Sequence, residues 1–90
     1  MTPGEKRFSL LAGLAWELRR MSVGSYVTLP GVGETVLYVR CADGSRLSVL
    51  AVESGPRWLL PWSAGANTPG DDLILAARLI ASSARGERAA

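Results

Sequence analysis

ETVLYVRCADGSRLSVLAVESGPRWLLPW, residues 34–62, is the stretch that decides the fold of this chain. Apolar and β-branched runs at 34–41, 46–53 and 57–62 are separated by turn chemistry at Asp43-Gly44 and Ser54-Gly55. Loops this short join antiparallel neighbours, so the runs read as a meander of strands. A fourth strand at about 25–29 joins the meander through Pro30-Gly31-Val32-Gly33.

Register follows from asking which pairing gathers apolar residues on one face. A three-residue loop, Ala42-Asp43-Gly44 with Gly44 left-handed, sets Val39 against Leu47 and Leu37 against Val49. A two-residue Ser54-Gly55 loop sets Ala51 against Trp58, Val49 against Leu60 and Leu47 against Trp62. One sheet face then carries Leu37, Val39, Cys41, Leu47, Val49, Ala51, Trp58, Leu60 and Trp62. The opposite face carries Val36, Tyr38, Arg40, Ser48, Leu50, Val52, Arg57 and Leu59. A sheet with one solvated face alternates apolar and polar residues more cleanly. Here Val36, Tyr38, Leu50, Val52 and Leu59 make a second apolar patch, with Arg40, Arg46 and Arg57 near its ends. Pro61 has no N–H for a ladder, so 57–62 is expected to be an edge strand or to end there.

Helices flank the meander on both sides in sequence. Thr2-Pro3-Gly4-Glu5 reads as a capping box with proline at the first helical position, opening a helix over about 3–21. Its apolar residues cover roughly 240° of the wheel, wider than the ~100° of a helix with one buried stripe. Leu10, Leu14 and Trp16 are assigned to its outer stripe. Thr68-Pro69-Gly70-Asp71 has the same look and predicts a second helix over about 69–85, stopping at Arg85-Gly86. The expected fold is α+β, α-β-β-β-β-α, one domain over residues 1–90 with a disordered tail at 86–90.

Composition narrows the functions. Ninety residues bury a thin core, yet 48% of them are hydrophobic, which predicts apolar surface left over for an interface. A net charge of +2 is too small to argue for nucleic acid. A single cysteine, Cys41, excludes an internal disulfide framework and points to a reducing, cytoplasmic setting. Lys6-Arg7 ahead of the run from Phe8 to Trp16 lacks the cleavage site of a signal peptide, and no stretch approaches a membrane span.

The chain has no histidine, which removes the usual general base and the commonest metal ligand. Glu5, Asp71 and Asp72 suit helix starts, Asp43 suits a turn, and Glu34 and Glu53 flank strands. Gly31-Val32-Gly33 precedes a strand rather than a helix and lacks the Lys-Ser/Thr end of a phosphate loop. No catalytic, metal or cofactor residue is therefore assigned, and an enzyme is not expected.

The leucine-rich first helix, the turn Leu29-Pro30-Gly31, the strand from Val36 to Val39, the spacing of Gly55, Trp58 and Trp62, and the helix over 72–81 together form a pattern. It resembles that of small uncharacterised actinobacterial proteins. The resemblance implies a cytoplasmic actinobacterial chain and carries no activity.

Two functions are expected from the residues themselves. The first is a protein-interaction module, a homodimer or an adaptor for another protein. Its contact surface would be the Val36, Tyr38, Leu50, Val52, Leu59 face or the Leu10, Leu14, Trp16 stripe, with Arg40, Arg46 and Arg57 for polar recognition. The second is a small-molecule binding module, with an apolar ligand held in a pocket lined by Trp16, Trp58 and Trp62. Neither nucleic acid nor a membrane is an expected partner.

Overall fold

A computed structural model of the chain describes residues 2–28, 34–62 and 66–86. The order is α1 (Pro3–Arg20), β1 (Ser25–Thr28), β2 (Val36–Arg40), β3 (Arg46–Val49), β4 (Val52–Ser54), β5 (Arg57–Trp62), β6 (Ala66–Pro69) and α2 (Leu73–Ala84). The fold is α+β with an antiparallel sheet between two helices in sequence, as the residue pattern predicts. The sheet holds six strands rather than four.

The β2–β3 hairpin has the expected register, Val39 facing Leu47 and Leu37 facing Val49. Gly44 takes φ +89°, a value that a side chain would resist. The turn at the other hairpin is Gly55-Pro56, with Gly55 at φ +61°, rather than Ser54-Gly55. Primed hairpin turns favour glycine at that first central position. Trp58 consequently faces Glu53, and Val49 faces Trp62, a slide of two residues from the expected pairing. Because side chains alternate with period two, this slide leaves every residue on its expected face.

Pro61 explains why the expected strand 46–53 is two strands. β3 and β4 pair with β5 in one continuous register, Val49 with Trp62 and Val52 with Leu59. Between them Leu50 donates its N–H to the Pro61 carbonyl at 3.0 Å, and Pro61 has no N–H to return. The ladder lapses at Leu50-Ala51, and the Ala51 carbonyl instead accepts from Arg7 Nε of α1 at 3.0 Å. β5 is thus an interior strand and not the edge that its proline suggests, since β6 pairs along its other side.

β6 occupies residues expected to start the second helix. Thr68 pairs with Leu60, is buried, and donates its hydroxyl to the Leu60 carbonyl at 3.3 Å instead of capping a helix. Gly70 continues the pairing, donating to the Trp58 carbonyl at 2.8 Å. A Cβ on Gly70 would lie 3.0 Å from that carbonyl oxygen, so only glycine fits this approach without a shift. The cap of α2 is Asp72, whose carboxylate accepts the Leu75 N–H at 2.9 Å.

The capping box of α1 is present, with Glu5 N–H donating to Thr2 Oγ1 and Thr2 N–H to Glu5 Oε1. Its C-terminus closes with a Schellman arrangement: Val23 N–H donates to Leu18 O and Ser22 N–H to Arg19 O. This puts Ser22 at φ +61°, a position glycine would occupy with less strain.

Both helices lie over one sheet face. The core consists of Leu10, Leu11, Leu14 and Leu18 of α1 with Val23, Leu37, Val39, Val49, Ala51 and Leu60, and the alanines and Ile80 of α2. Leu47, Trp58, Trp62, Val27 and Cys41 pack around it. Every sheet residue in that group belongs to the face predicted to carry Leu37 and Val39. The turn at 29–33 and the tail beyond residue 86 lie outside the described residues.

Candidate functional site

The second sheet face is the candidate site. Val36, Tyr38, Leu50, Val52 and Leu59 are half-buried, and none of them joins the core. Strand neighbours shield their flanks, and among the described residues no helix packs above them. Pairing of β1 with β2 places Tyr26 beside Tyr38 and adds Thr28 beside Val36. Pro61 and Pro69 extend the same face across β5 and β6. A contiguous apolar surface on an otherwise compact chain marks an interaction surface more often than a solvated one.

One end of this face is chemically distinct. Arg40 and Arg46 are cross-strand partners. The Arg46 guanidinium donates to Tyr26 Oη at 2.6 Å and lies 4.8 Å from the centre of the Tyr38 ring. The Tyr26 and Tyr38 rings are themselves packed, with centroids 5.4 Å apart. The bond to Tyr26 raises the Arg46 guanidinium above its ordinary value. Arg40 and Arg46 line a cleft of about 360 Å³ together with Tyr26, Cys41, Gly44 and Ser45. The turn beneath it is fixed. Asp43 accepts from the Ser45 hydroxyl at 2.6 Å and the Ser45 N–H at 2.9 Å, and the hydroxyl bond above all holds the Asp43 carboxyl below its usual range. Ala42 donates to the Ala84 carbonyl at the end of α2 at 2.7 Å.

The structure therefore brings Arg40 and Arg46 together and leaves Arg57 apart, at the β4–β5 turn at the other end of the sheet. Tyr26 is a member of the site that the sequence reading did not single out. Its signal was there, since any β1–β2 hairpin opposes Tyr26 to a residue near Tyr38.

Other expected positions are corrected. Leu10 and Leu14 are core residues packed inside the chain, so they form no outer stripe. A helical wheel orders residues around an axis but does not say which sector meets the sheet. The exposed apolar residues of α1 are Phe8 at 41% and Trp16 at 59%. Ile74, Leu75 and Leu79 are exposed on α2.

The tryptophans do not converge. Trp16 lines a surface cleft with Ala12, Ala15, Arg19 and Val23. Trp58 lines a different one, of about 390 Å³, with Lys6, Arg57, Pro69 and Asp71 among its neighbours. The Arg7 guanidinium lies 5.8 Å from the Trp58 ring centre. Trp62 packs against the core, and its buried indole N–H has no acceptor among the described residues. The Trp58 cleft is bordered by charged side chains, unlike the mostly apolar lining of a pocket for a hydrophobic ligand.

No helix among the described residues is long and apolar enough to cross a membrane. Neither protein-family models, curated proteins nor solved structures give a match to the chain.

Proposed function

We propose that this chain is a non-enzymatic protein-interaction module that docks through its open sheet face. The partner is a second copy or another protein for which the chain acts as an adaptor. One observation carries the reading: Val36, Leu50, Val52 and Leu59 are apolar residues on a face that no described helix covers. Burying such a patch removes apolar area from water at about 25 cal/mol per Å². Tyr38 and Tyr26 add aromatic area of the kind that anchors interfaces.

The test uses a double substitution, Leu50→Lys with Leu59→Lys. Both side chains project from the open face, so the thermal melt of the isolated chain should change little. Sedimentation through the micromolar range, and co-purification from the native host, should show an association that the double variant loses. An association that survives it, or that is lost instead on Trp16→Ser or Leu75→Ser, overturns the assignment of the face. A chain that sediments as a monomer throughout eliminates the homodimer version.

A further inference from the structure

The end of the open face that holds Arg40 and Arg46 is cationic. These arginines oppose each other directly in the β2–β3 register, and like charges at opposed positions repel. No carboxylate among the described residues lies within ion-pair distance of either. Asp43, the nearest acid in sequence, is engaged by Ser45 of its own turn. Arg46 is held from two sides, by Tyr26 Oη and the Tyr38 ring, so its guanidinium is oriented before any ligand arrives. The stem of Arg40 lies over Gly24, where an added Cβ would sit 3.5 Å from Arg40 Cδ. Between the two is the cleft, with Ser45 and Gly44 at its floor turn.

We infer that this cleft receives a carboxylate from the protein partner that covers the open face, an acidic segment whose neighbouring apolar side chains lie on Leu50 and Val36. The inference rests on the open face being the docking surface. An arginine fork matches a carboxylate with two parallel hydrogen bonds, and a second guanidinium opposite it completes a cationic clamp. A second copy placed face to face fits poorly. The strand residues of this face include Arg40, Arg46 and Arg57 and no Asp or Glu, so two copies would set cation against cation. A partner carrying acids at the ends of an apolar stripe satisfies both features at once. Coverage by such a partner also removes water from the clamp, which strengthens each charged contact.

The test is an NMR titration of the full chain with a synthetic peptide of alternating Glu and Leu, with the same peptide carrying Gln for Glu, and with inorganic phosphate. The readouts are the Nε–Hε signals of Arg40 and Arg46, the amides of Gly44 and Ser45, and the methyls of Val36, Leu50 and Leu59. The Glu peptide should shift both groups of signals saturably. Replacing Glu by Gln, or the protein by its Arg40→Gln/Arg46→Gln variant, should weaken binding about tenfold and flatten its salt dependence. Unchanged methyl shifts of Leu11 and Ile80 confirm that the variant is folded. Equal affinity for the Glu and Gln peptides, or for the variant and the parent, overturns the carboxylate clamp while leaving the docking face intact. Phosphate shifting the arginines as strongly as the Glu peptide, with the methyls silent, also overturns it, because the cleft is then a general anion site. Silence of arginines and methyls alike overturns the clamp and counts against the docking face too.

Discussion

The two faces of this sheet are built from the same strands and carry similar apolar side chains, yet among the described residues only one has a helix layer over it. Leu60 and Leu59 are adjacent on β5 and point to opposite faces. Leu60 is fully buried in the core with the helix side chains, whereas Leu59 is half-buried and stands outside that core. Strand composition therefore does not decide which face becomes the core. The decision comes from the helices, whose leucine and alanine stripes can cover one face and no more.

That comparison can be broken most sharply at the two leucines. Leu60→Ala should lower the unfolding free energy by about 2–5 kcal/mol, the range for emptying a packed core site. Leu59→Ala should cost under about 1 kcal/mol in the isolated chain, because little packing is lost. Urea melts of both variants give the answer, and equal losses would mean that the open face is not open.

Smaller effects sharpen the same contrast by loosening or tightening the helix layer alone. Thr2→Ala removes the capping box and should destabilise by about 1 kcal/mol. Hydrogen exchange should quicken in the first turns of α1 while Tyr38 and Ser48 on the open face keep their rates. Ser22→Gly acts in the opposite sense, relieving the left-handed residue at the end of α1. It should stabilise by up to about 1 kcal/mol, read as a raised melting midpoint. Faster exchange or a lower midpoint would show that Ser22 makes a contact more valuable than the strain it carries.

The smallest effect is electrostatic. The Asp43 carboxyl is held below its ordinary value of 3.8 by Ser45. A depressed carboxylate contributes stability that is fully present above the unfolded value. That contribution is lost as pH falls below it and through the folded value. Acid titration followed at the Ser45 amide should show the turn loosening only below about pH 4, with Asp43→Asn abolishing the dependence. A transition near neutrality would point to another group.

Much of this arrangement was legible in the sequence, for identifiable reasons. A two-residue Asp43-Gly44 turn would set Val39 against Ser48, so gathering apolar residues on one face selected the three-residue turn, and the β2–β3 register and both faces followed from it. Thr2 and Glu5 have no competing use, and the first cap formed where expected. Thr68-Pro69-Gly70-Asp71 offers the same cap chemistry, but β5 had an open side, and strand pairing took Thr68 for Leu60. Local propensity cannot foresee that competition. Pro61 misled similarly, since a missing donor can be placed opposite a lapse in the neighbouring strand as well as at an edge. Of the site, the apolar patch and the pairing of Arg40 with Arg46 were readable from strand alternation. The clamping of Arg46 by Tyr26 depended on a third strand, whose register the sequence left open.

No described helix covers the sheet face of Val36, Leu50, Val52 and Leu59 in the single chain. Paramagnetic quenching of methyl signals by a soluble probe, on a dilute sample, tests it most directly. Val36, Leu50, Val52 and Leu59 should be quenched strongly and Leu37, Val49 and Leu60 weakly. Equal protection of the two sets in a sample shown to be monomeric would contradict it.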